Sequence, residues 1–127
     1  MSMEMKIETT YNVAILLLKL VDYHLEILKQ ELELKMRKEK EIIKEIDCYS
    51  YLKIKLLLYL GINNKEIKMR FEEQDILMLG EVCYLFFIVT KKIINVEKKV
   101  VEELKQFHIK LEKCINIIDD NASKNLN

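Results

Sequence analysis

Ala14, Leu18, Val21, Leu25, Leu28 and Leu32 recur at steps of three and four residues, with polar side chains between most of them. That spacing is the buried seam of an amphipathic helix. Leu17, Leu20 and Ile27 widen the seam to the breadth of a bundle core rather than a narrow two-stranded coil. Thr9 or Thr10 can cap its start through a hydroxyl. The apolar pattern thins after Leu34, where Glu and Lys alternate around Met36, Ile42 and Ile43. If unbroken to Ile46, the helix is about 55 Å long at 1.5 Å per residue. Asp47-Cys48-Tyr49-Ser50 reads as a break, because Asp and Ser compete for backbone hydrogen bonds.

Tyr51 to Leu60 then reads as a short helix stopped by Gly61. Asn63 followed by Glu66 opens a second short helix to about Phe71 in the manner of a capping box. Asp75 can cap a last helix running to about Ile118 and kinked near Thr90 or Asn95. Its second half carries the seam Ile93, Val100, Leu104, Phe107, Leu111, Cys114 and Ile118. Val82 to Val89 is apolar all round, so it needs cover on every side. Residues 1–8 flank this pattern, 9–118 form one domain, and 119–127 form a polar, disordered tail. The fold class expected is all-α: two long antiparallel helices joined by two short ones, a small bundle completed by homodimerisation.

Composition sharpens that picture. The chain has 127 residues, no proline and two glycines, which leaves little punctuation for a loop-rich or sheet-rich fold. A length near the common domain size can bury a core without disulfides or metals. Cys48, Cys83 and Cys114 are widely spaced and form no CxxC unit, so they read as reduced thiols in a cytoplasmic protein. No signal peptide is visible, and the apolar stretch Ile76–Val89 is interrupted by Gly80 and Glu81 and too short for a membrane span.

Twenty-one basic residues balance twenty-one acidic ones, which removes any global attraction to nucleic acid or to an anionic membrane. Locally the balance fails. Residues 51–70 carry Lys53, Lys55, Lys65, Lys68 and Arg70 against Glu66, and residues 71–90 carry Glu72, Glu73, Asp75 and Glu81 with no base. The scarcity of Arg matters, because lysines position phosphates without reading bases. The Lys, Ile and Asn bias is that of an AT-rich coding sequence, such as a phage or low-GC bacterium.

Candidate chemistry is thin. His24 and His108 lie on long helices, with Glu112 one turn beyond His108, and neither has the Glu-x-x-His spacing of di-metal bundles. A single-metal site from His24, His108 and Glu112 requires the long helices to be antiparallel neighbours. No Gly-x-Ser-x-Gly elbow or phosphate-cradling glycine loop exists, and Glu72-Glu73 lacks a second carboxylate pair. No enzyme, cofactor or metal is expected.

Leu58-Tyr59-Leu60-Gly61-Ile62-Asn63-Asn64-Lys65-Glu66-Ile67-Lys68-Met69-Arg70-Phe71 resembles the first helix and turn of helix-turn-helix regulators. The resemblance covers fourteen residues and implies a DNA-binding regulator using Lys53, Lys55, Lys65, Lys68 and Arg70. Glu72 to Leu79, in the place of a recognition helix, departs from it by being acidic and then apolar. The principal expectation is therefore a non-enzymatic protein-interaction module, an adaptor or inhibitor acting on a host protein if phage-encoded. It would engage another protein or its own copy through Tyr49, Tyr51, Tyr59, Tyr84, Phe86 and Phe87, aromatic anchors of the kind interfaces favour.

Overall fold

A computed structural model describes residues 4–61, 65–92 and 94–125. Strand β1 (Glu4–Thr10) leads into helix α1 (Tyr11–Glu33), and α2 (Glu39–Leu60) returns against it. Strand β2 (Glu66–Glu72) enters α3 (Glu73–Ile88), and a single 3-10 turn at Thr90–Lys92 precedes α4 (Lys98–Asn125). The fold is mostly helical, as the periodicity predicts, with one small two-stranded antiparallel sheet added.

Thr10 caps α1 as expected, its Oγ1 accepting from the Val13 N–H at 3.3 Å. The same hydroxyl donates to Glu103 Oε2 of α4 at 2.6 Å, tying the start of the first helix to the last. Of the predicted seam, Ala14, Val21, Leu25 and Leu28 are core, with Leu17 and Leu20 beside them, while Leu18 and Leu32 are half-buried.

The first break falls earlier than the polar residues at 47–50 indicate. Helix α1 ends at Glu33 with Leu34 as its C-cap, and Lys35 adopts φ 53°, the left-handed conformation usually given to glycine. There the Met36 N–H reaches back to the Glu31 carbonyl at 3.1 Å and the Lys35 N–H to that of Leu32 at 3.3 Å. Arg37 then clamps the turn, bonding Glu31 of α1 and Glu45 of α2. Asp47–Ser50 stays helical inside α2 because Tyr49, Leu52 and Ile42 are driven into the core, and packing outweighs the local preference of Asp and Ser.

Two further corrections concern strands. The short helix expected up to Phe71 is β2, and most of the segment expected merely to flank the domain is β1. Both alternate at period two: Met5, Ile7 and Thr9 face inward, as do Ile67, Met69 and Phe71. The register pairs Ile7 with Met69 and Met5 with Phe71, so the apolar side chains lie opposite one another and cover the helices. The capping residue Asn63 lies outside the described residues, as does Ile93 of the last seam.

Tyr59 closes part of the outer edge of β2. Its hydroxyl accepts from the Arg70 N–H at 2.9 Å and donates to the Arg70 carbonyl at 3.2 Å. Those backbone groups must therefore point away from β1, which fixes the odd-numbered pairs as the hydrogen-bonded ones. On the other edge Lys110 of α4 donates to the Glu8 carbonyl at 2.8 Å.

The expected single last helix is two, α3 and α4, separated by residues 89–97. They pack closely: a Cβ on Gly80 would lie 2.9 Å from Ile115 Cδ1. Leu104, Phe107, Leu111 and Ile118 of the predicted seam are buried, Val100 and Cys114 are half-buried against them, and Val101 joins the core beside them. The polar residues Asp119–Asn125 continue that helix rather than forming a disordered tail. No helix among the described residues is long and apolar enough to cross a membrane.

Candidate functional site

Helix α1 is the floor on which α2 and α3 sit, and those two make little direct contact. Their gap is bridged by polar side chains. Lys55 Nζ donates to Asp75 Oδ2 at 2.5 Å, Gln74 Nε2 to Cys48 Sγ at 3.0 Å, and the Tyr49 hydroxyl to Glu81 Oε2 at 3.1 Å. Asp75 also accepts from the Glu72 N–H at 3.1 Å, the N3-to-cap half of a capping box, so one carboxylate joins β2, α3 and α2. Burial alone would lower the Lys55 ammonium. The Asp75 hydrogen bond and the charges of Asp75 and Glu72 outweigh it and hold the ammonium above its ordinary value.

Between these bridges lies a cleft of about 390 Å³ lined by His24, Glu31, Arg37, Cys48, Tyr49 and Glu81, among others. The His24 ring packs on Tyr49 with centroids 4.4 Å apart. Burial lowers the His24 pKa and prevails over Glu81, Glu45 and Glu31, which pull it up, so the fold favours the neutral imidazole. Burial, then the Glu81 charge, pushes the Tyr49 phenol up, so it stays a hydrogen-bond donor. The Arg37 hydrogen bonds hold the Glu45 carboxyl below its usual range.

His108 stacks on Phe87 with centroids 5.8 Å apart, and its Nε2 lies 3.2 Å from Glu112 without a hydrogen-bond alignment. Among the described residues, no group of three or more His, Cys, Asp or Glu is placed to hold a metal ion. Burial pushes the Cys83 thiol up to about 12, far from a reactive thiolate.

The aromatic residues singled out by sequence divide sharply. Tyr49 and Phe86 belong to the chain's own core, Phe87 is half-buried against Phe86, and Tyr59 is occupied with Arg70. Tyr51 and Tyr84 project, 67% and 59% exposed. Tyr51 does not stand alone. Ile54, Leu57 and Leu58 follow it along the outer side of α2, 54%, 48% and 71% exposed. Sequence reasoning put apolar surface around Tyr49–Tyr59 but named only its tyrosines, although the run Leu56-Leu57-Leu58-Tyr59-Leu60 surrounds the helix and one side alone can face α1.

The lysines of the basic segment do not converge. Lys53 pairs with Asp22 at 2.7 Å and Lys55 with Asp75. Lys65, Lys68 and Arg70 lie on or beside β2, whose solvent face interleaves them with Glu66 and Glu72, and Lys68 stands across from Glu8. Within the segment resembling a helix-turn-helix, Glu66–Phe71 belongs to strand β2, and the recognition-helix position that follows is the start of α3. Comparison with protein-family models, curated proteins and solved structures finds no match to this chain.

Proposed function

We propose that this chain is a non-enzymatic protein-interaction module, a small helical adaptor or inhibitor that docks another protein or a second copy of itself through the outer side of α2. The observation that carries this reading is the contiguous exposure of Tyr51, Ile54, Leu57 and Leu58 on one rigid helix. Monomeric proteins seldom leave such a row uncovered, and a helix face with anchors at i, i+3 and i+7 is a standard element of helix recognition. Tyr51 supplies the large amphipathic ring that interface centres favour. Homodimerisation through this face would complete the bundle. The nucleic-acid reading draws no support from its own residues, because Lys53 and Lys55 are paired and Lys68 and Arg70 are interleaved with carboxylates.

The test is molar mass by light scattering across a concentration series, with pull-down from nuclease-treated lysate, for wild type and for Ile54→Lys with Leu58→Lys. These positions are exposed, so the variant is expected to fold normally by circular dichroism. Loss of self-association or of a stoichiometric partner in the variant supports the reading. A monomer whose recovered partners are the same with and without the substitutions refutes it.

A further inference from the structure

Strand β2 has an outer edge that the chain closes only in part. The Tyr11 N–H donates to the Lys65 carbonyl at 3.0 Å. Together with the Tyr59 bonds to Arg70, this turns the backbone groups of Glu66, Lys68, Arg70 and Glu72 away from β1. Tyr59 takes both groups of Arg70, and Asp75 takes the Glu72 N–H. The N–H and C=O of Glu66 and of Lys68 meet no partner among the described residues, and both residues are exposed. The opposite edge of the sheet is attended by α4, whose Lys110 takes the Glu8 carbonyl. The opening therefore lies on β2.

We propose that Glu66–Lys68 pairs with the same segment of a second copy of this chain, antiparallel about Ile67, so that the sheet runs on through a two-fold interface. This names the partner that the docking reading leaves open, and it rests on that reading for the apolar part of the contact. Charge selects both the occupant and the register. The outward backbone groups belong to even-numbered residues, so hydrogen-bonded pairs across the interface join even to even. Pairing about Ile67 sets Glu66 opposite Lys68 of the partner subunit and Lys68 opposite Glu66 of the partner subunit, each pair exchanging both backbone bonds.

Neighbouring registers fail. Pairing about Lys68 sets that lysine against its own copy and calls on Arg70 groups that Tyr59 already holds. Pairing about Met69 sets Glu66 against Glu72 and Lys68 against Arg70, and pairing about Glu66 sets that carboxylate against its own copy. A lone lysine on an edge strand wards off other strands. With Glu66 two residues before it, Lys68 rejects those registers and accepts one.

The strand segment alone buries too little for a stable dimer, which takes about 1,200 Å² or more of total surface. The remainder adjoins it. Leu58, 71% exposed, shares a surface hollow with Tyr59, Arg70 and Glu72, so the apolar row of α2 borders the edge of β2. Lys53 and Lys55 beside that row are neutralised by Asp22 and Asp75, so two copies of it meet without opposing free lysines.

The experiment is sedimentation velocity of the full chain across a concentration series, with hydrogen exchange of the Lys68 amide. Wild type is expected to dimerise, and exchange of that amide to slow as concentration rises. Glu66→Lys and Lys68→Glu, each alone, set like charges in both pairs and should weaken the dimer about tenfold or more. Mixed in equal amounts, the two variants restore opposite charges in every pair, so the mixture should dimerise as wild type does. Both positions are exposed, and the variants are expected to keep the wild-type circular dichroism. A wild type that stays monomeric, single variants that dimerise unchanged, or a mixture no tighter than its components would overturn the proposal. If the charge variants dimerise normally while Ile54→Lys with Leu58→Lys does not, the strand pairing falls and the docking face stands.

Discussion

Asp75 is a buried carboxylate that joins α2, α3 and β2, and replacing it gives a worked test of the fold. Its side chain is 7% exposed and accepts from Lys55 Nζ and from the Glu72 N–H. Asp75→Ala removes a capping acceptor, worth about 1 kcal/mol. It also removes a hydrogen bond to a charged donor, worth about 1.5–3 kcal/mol. The Lys55 side chain is 25% exposed and can swing its ammonium into water, so the second contribution falls toward its lower end. The sum is a loss of about 2–4 kcal/mol. Spread over 127 residues at about 2.1 cal/mol/K each, a loss of about 3 kcal/mol lowers the melting temperature by about 10 °C. Asp75→Asn keeps an acceptor for Glu72 and loses the charge, so about half of that is expected. Lys55→Met alone leaves the buried carboxylate without its cation, and a double-mutant cycle should return a coupling of about 1–2 kcal/mol. The assay is urea unfolding with an unchanged m-value. Single variants each within about 0.5 kcal/mol of wild type, and additive, would refute the Lys55–Asp75–Glu72 junction.

Lys35 holds φ 53° at the end of α1, so Lys35→Gly should stabilise the protein by several tenths to about 1 kcal/mol in urea; a loss would contradict the left-handed turn. Gly80→Leu should cost about 2 kcal/mol or more because its side chain would meet Ile115, and a neutral melting curve would separate α3 from α4. Tyr59→Phe should cost about 1 kcal/mol and speed hydrogen exchange of the Arg70 amide, whereas unchanged exchange would mean that the edge is closed by something else. Burial lowers the His24 pKa below its unfolded value of 6.5, so between the folded and unfolded values the unfolded chain holds more protons. The stability contributed by neutral His24 is thus present above about pH 6.5 and is lost as pH falls through that window. Unfolding midpoints measured from pH 7.5 to 5 should fall less steeply for His24→Gln than for wild type, and parallel profiles would rule out this histidine as the source.

Much of the helical skeleton was legible because its signals are local. Thr10 precedes the first apolar turn, and Leu104, Phe107, Leu111 and Ile118 repeat at helical steps. The strands were not read, although Glu4–Thr10 and Glu66–Glu72 alternate charged and apolar residues almost strictly. Ile67 and Phe71 stand four apart and suit a helix as well as a strand. Met69 between them is the residue that breaks the tie, since a helix would turn it to another side. The partner strand lies about sixty residues away in sequence, and no local pattern reports such a pairing. The α1–α2 turn was missed for a different reason: its left-handed residue is a lysine, so the glycine that usually marks such a turn is not there.

The cleft has the same origin as these misreadings. Tyr49 was selected as an interface anchor because aromatic residues on helices so often are, yet its ring is consumed by His24 and its hydroxyl by Glu81. A seam between helices that served stability alone would be filled by Leu and Ile, which pack without any need for directional partners. Here α2 and α3 are held apart by long polar side chains meeting tip to tip. Such bridges fix the spacing of two helices while leaving volume beneath them. The polar composition of the seam is therefore the physical reason that the cleft exists.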